Sequence, residues 1–230
     1  MNGAMNLPPI VTESLFQEMD GCHDEESINC KFSGFVDALH DYMNHGSCLS
    51  GIQETRRTWT RPRQTAAFGN FVADPEFQYW YSYHHGGRNE AQFNLGLCPH
   101  HFRFGLGFEF SLKKGGDPTC IHLMYACFMN LVNKRSEWFE EFVIGNHLEV
   151  EWMDIQGRQG IVAPSDVSLW LQQPPSEPEW IFVGRLLKRD QSEDMDVLAD
   201  PHSFSRSMED VFAGFLEIWA KSQQQASQLK

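Results

Sequence analysis

Three successive stretches, FQYWYSYHH (77–85), EAQFNLGL (90–97) and HHFRFGLGFEFSL (100–112), alternate apolar and polar residues, and the short segments GGRN and CPH connect them. A period of two belongs to half-buried β-strands, whose successive side chains leave on opposite faces. Glycine, proline and asparagine in the connections are turn chemistry. The region therefore reads as a three-stranded antiparallel meander, which needs a second layer to cover its apolar face.

A tight turn at Pro99-His100 puts Phe93, Leu95, Leu97, Phe102, Phe104, Leu106 and Phe108 on one face of strands two and three. That face is core. The other carries Gln92, Asn94, Gly96, Arg103, Gly105 and Gly107. With so few side chains it admits close approach by a ligand or by another backbone, and tight helix packing or bulges account for it equally. The register of the first strand decides what joins this face. A four-residue loop brings Tyr79, Tyr81, Tyr83 and His85 there, and a three-residue loop brings Gln78, Trp80, Ser82 and His84.

Helical periodicity supplies the second layer. Residues 12–44 show apolar positions at spacings of three and four around a loop at 21–29, and Pro118 suits the first turn of a helix running to about Asn133. SEWFEEFV adds a further helical piece. LEVEWMD and GIVAP read as a hairpin, Ser165-Asp166 as the start of a brief helix, QQPPSEPE as a loop and WIFVGRLLKR as another strand. The last helix is marked by the stripe Phe204, Met208, Val211, Phe212, Phe215, Ile218 and Trp219. The expected class is α+β: an antiparallel meander sheet with N-terminal, central and C-terminal helices packed mainly on one face. A chain of 230 residues, 41% of them hydrophobic, can bury a full core as a single domain over 1–230, with 1–11 and 223–230 flexible.

The two histidine pairs, His84-His85 and His100-His101, flank the turns of this meander. Neighbouring strand residues point to opposite faces, so each pair offers one metal ligand at most. Ligands at opposite ends of a strand of roughly 25 Å do not converge. No metal and no cofactor is expected. Cys98 has no cationic or helix-terminal setting to form a thiolate. Glu109 precedes Lys113 by four and Glu149-Val150-Glu151 lacks a lysine, so a metal-dependent nuclease signature is absent, as are phosphate-loop, serine-hydrolase and zinc-protease motifs. No catalytic residue is assigned. An enzyme on the glycine-cleared face would need Glu109 or a histidine as its acid or base.

The six cysteines form no CxxC pair and read as free thiols; Cys120 and Cys127 lie in an apolar helix. No stretch reaches the roughly 20 apolar residues of a membrane span, and the start lacks the basic flank and apolar run of a signal peptide. A cytoplasmic protein with no membrane partner is expected.

A net charge of −13 excludes a surface that attracts nucleic acid everywhere but leaves room for a local basic groove. RRTWTRPR places Arg56, Arg57, Arg61 and Arg63 around Trp59, directly before the meander, and Arg88 sits in its first turn. These cations can contact phosphates, or they can form a solvated loop facing the acidic N-terminal helix. TAAFGNFVADPEFQYW (65–80), with Gly69, Asn70, Phe71, Pro75 and Phe77, resembles the N-terminal specificity modules of McrBC-type modification-dependent restriction systems. Glu76 stands where that family has an aromatic residue. The resemblance implies recognition of modified DNA by base extrusion, without the family's fused GTPase. The expected function is a non-catalytic nucleic-acid recognition module that reads modified or extruded bases in a restriction or antiviral defence setting, using Arg56, Arg57, Trp59, Arg61, Arg63, Asn70, Tyr81, Tyr83, His85, Arg88, Asn94 and Arg103. The alternative is an acidic subunit that binds a protein partner.

Overall fold

The computed structural model describes residues 7–20, 34–35, 37–39, 41–43, 81–85, 91–97, 100–110 and 118–228. Its elements are α1 (Glu13–Asp20), β1 (Tyr81–His85), β2 (Gln92–Leu97), β3 (His101–Glu109), α2 (Pro118–Lys134), α3 (Ser136–Gly145), β4 (Leu148–Asp154), β5 (Gln159–Val162), a 3₁₀ turn (Pro164–Asp166), α4 (Val167–Gln172), β6 (Pro178–Lys188), α5 (Ser192–Ala199) and α6 (Pro201–Gln228). Residues 34–35, 37–39 and 41–43 are helical as well.

The fold is α+β, as the periodicities imply. The strands form one six-stranded sheet in the order β1-β2-β3-β6-β4-β5. The expected meander and hairpin are both present, and β6 is inserted between them. β6 pairs antiparallel with β4, Val183 opposite Val150. Along β3, the Arg189 N–H donates to the His100 carbonyl at one end (3.0 Å) and the Phe110 N–H donates to the Glu179 carbonyl at the other (2.9 Å).

The chain divides into two compact units. The first comprises Met1–His85, Asn94–Phe104 and Leu186–Glu209. In it the Phe204 ring meets Phe102 edge-on at 5.0 Å and Phe104 at 6.1 Å. The Tyr42 hydroxyl bonds Ser205 Oγ at 2.9 Å. Residues 7–12 are held to this unit: Pro8 and Val11 are buried, and the Val11 N–H donates to the Leu198 carbonyl at 3.1 Å. Arg189 stacks over the Phe16 ring and pairs with Asp20 at 2.7 Å, which fastens α1 to the end of β6.

The second unit comprises Gly86–Phe93, Gly105–Arg185 and Asp210–Lys230. Here Phe93 packs on Phe212 and Trp219, and the Trp219 indole N–H donates to the Ala91 carbonyl at 2.8 Å. Phe108 meets Tyr125 and Phe128 of α2, and Phe142 of α3 meets Phe215. The stripe of α6 read from the sequence is buried throughout, from Phe204 to Trp219.

Two further helical segments complete the fold. The polar tail 223–230 continues α6 as far as Gln228, and the acidic stretch after Lys188 forms the helix α5.

Candidate functional site

β1 is an edge strand of the sheet and adjoins β2. Tyr81, Tyr83 and His85 belong to this strand. Within β2, Asn94 is 3% exposed. Arg103 of β3 is 4% exposed. Of the residues expected to bind nucleic acid, Arg56, Arg57, Trp59, Arg61, Arg63, Asn70 and Arg88 lie outside the described residues. Tyr81, Tyr83, His85, Asn94 and Arg103 belong to the first compact unit.

The face bearing Asn94 and Arg103 is buried, as is the apolar face of the same strands. Asn94 and Arg103 are therefore enclosed. Asn94 presents an amide whose Oδ1 is buried and has no hydrogen-bond partner among the described residues.

In the second unit the glycines of β3 accommodate close neighbours. A Cβ on Gly105 would overlap the Val183 carbonyl and the Gly184 backbone, so another backbone takes the space there. A Cβ on Gly107 would overlap the Trp180 ring, which stacks on Phe182 at 6.5 Å. The space at these two glycines is thus occupied by β6. The register puts Glu149 opposite Gly184 and Glu151 opposite Phe182, so this face also carries two carboxylates, each 9% exposed.

Trp180 and Phe182 were not singled out from the sequence, and Glu149 and Glu151 were weighed there only as a nuclease signature that lacks its lysine. Alternation in WIFVG and LEVEWMD shows that each set shares a face, but only the non-local insertion of β6 brings them beside Gly105 and Gly107. Among the described residues no group of three histidine, cysteine, aspartate or glutamate side chains is placed to hold a metal.

The histidine pair at β3 follows the hairpin reading: His100 is exposed before the strand and His101 begins it. Cys120 and Cys127 are buried thiols outside any disulfide, and burial raises the Cys127 thiol pKa above its ordinary value. No described helix is long and apolar enough to cross a membrane. No protein-family model matches the chain, and no curated protein matches it in sequence.

Proposed function

We propose that the chain is a non-catalytic nucleic-acid recognition module that reads an extruded base at the enclosed polar face of β2 and β3. The observation that carries this reading is the Asn94 amide, 3% exposed, with a buried Oδ1 that lacks a hydrogen-bond partner among the described residues. An unmet acceptor of this kind costs on the order of 1–3 kcal/mol, and a base edge bearing an N–H would satisfy it. Enclosure suits extrusion, in which a base leaves its stack and enters a pocket.

Arg56, Arg57, Arg61, Arg63 and Arg88 would hold phosphates without sequence preference, and Trp59 with Tyr81 and Tyr83 would supply stacking. Asn70, His85 and Arg103 complete the set of proposed contacts. Recognition of modified DNA in a cytoplasmic restriction or defence setting extends the same proposal and rests on the resemblance of residues 65–80.

Electrophoretic shift assays with single-stranded, duplex and modified-base DNA and with RNA test the reading. Replacing Asn94 by Ala should narrow the difference between preferred and non-preferred bases. Replacing Arg61 and Arg63 together should weaken all complexes alike and lower the salt slope by about two. Absence of any complex at low salt would sink the proposal.

A further inference from the structure

Helix α3 has two unlike sides. Phe139, Phe142 and Val143 are buried, whereas Glu137, Glu140, Glu141 and Ile144 recur at i, i+3, i+4 and i+7 on the exposed face. Ile144 is 54% exposed. α3 packs against α4 and the 3₁₀ turn before it. That second piece buries Val167 and Leu171 and exposes Asp166, Gln172 and Leu169, the last 65% exposed. Neither Ser136–Gly145 nor Pro164–Gln172 contains a lysine or arginine. Glu137 and Glu141 are like charges one turn apart, an arrangement that destabilises a helix unless a cation relieves it.

We infer that the exposed faces of α3 and α4, two elements in contact with each other, together form a docking surface for a basic amphipathic helix of a partner protein. Its apolar stripe would cover Ile144 and Leu169, and its lysines or arginines would meet Glu137, Glu140, Glu141 and Asp166. The sign of the charge selects the class of partner, because nucleic-acid phosphates and anionic lipid headgroups are both repelled by these carboxylates. This surface lies wholly in the second compact unit and is independent of the base-reading proposal.

The test uses the full chain and a fluorescein-labelled peptide with leucine at i, i+3, i+4 and i+7 and lysine elsewhere. A counterpart has glutamate for every lysine. Anisotropy should show that the lysine peptide binds and that added salt weakens it. The double variant Glu140→Lys/Glu141→Lys should bind it about tenfold less tightly or worse and should bind the glutamate peptide instead. Leu169→Ser should weaken both pairings. Reversing Glu193 and Asp196, exposed acids of α5, should leave affinity unchanged. Circular dichroism checks that each variant is folded. The inference is overturned if the lysine peptide fails to bind, if it binds E140K/E141K as well as the parent, if the α5 reversal weakens it equally, or if duplex DNA occupies the same variant-sensitive face.

Discussion

Tyr125 of α2 carries its hydroxyl into the packing of Phe108, Phe110 and Phe128, where the oxygen is buried without a hydrogen-bond partner among the described residues. Burial pushes the phenol pKa above its ordinary value, so the group stays protonated. Tyr125→Phe removes an unmet polar group and keeps the ring. Urea unfolding should show a stability gain of about 1 kcal/mol. The two glycines of β3 should behave unequally. Gly105→Ala drives a methyl into backbone, which has no rotamer to change, and should cost about 3 kcal/mol. Gly107→Ala meets first the outer edge of the Trp180 ring, which can turn aside, and should cost about 1 kcal/mol. The sequence marked both positions as places of close approach. It could not say what approached, because the neighbouring strand lies some 75 residues further on.

Asp200 precedes α6 and accepts at both carboxylate oxygens: Oδ1 from the His202 N–H, Oδ2 from the Ser203 N–H and hydroxyl. The Ser203 hydroxyl bond, followed by the His202 backbone bond, lowers the pKa of Asp200 below the ordinary carboxylate value. A lowered folded-state pKa contributes stability that is present above the unfolded value, near about 4, and is lost as pH falls through the folded one. Asp200→Asn should therefore lower the melting temperature at neutral pH, and the difference from the parent should shrink as the pH falls through the folded-state pKa, as scanning calorimetry can read. The apolar stripe of α6 was visible in the sequence because it is a local signal, and Asp200-Pro201 before it is equally local helix-start chemistry. Helix α5 was not visible: SEDMDVLA offers four apolar residues in little more than two turns, too short a pattern to stand out, and it buries only Leu198.

The position of β6 was the principal feature of the fold that the sequence left open. The meander and the β4–β5 hairpin follow from alternation and turns, whereas which strand joins them depends on pairing between distant segments. The candidate site shows the same division. Alternation placed Asn94 and Arg103 together on a polar face, and the structure adds that this face is enclosed. Centrality of β6 predicts that Val183→Pro, which removes a donor from a strand paired on both sides, costs about 3 kcal/mol or more. Ile161→Pro in the edge strand β5 should cost markedly less, and equilibrium unfolding of the two variants compares them directly. There is also a consequence for biosynthesis. β3 and β4 leave the ribosome before the strand that will lie between them exists, and the roughly 80 residues from the end of β3 to the end of β6 take on the order of ten seconds to make. Throughout that interval two nascent strand edges stand open to other chains. Changes in β6 should therefore reach soluble yield through the speed of translation and the supply of chaperones, even where the finished protein is as stable as before.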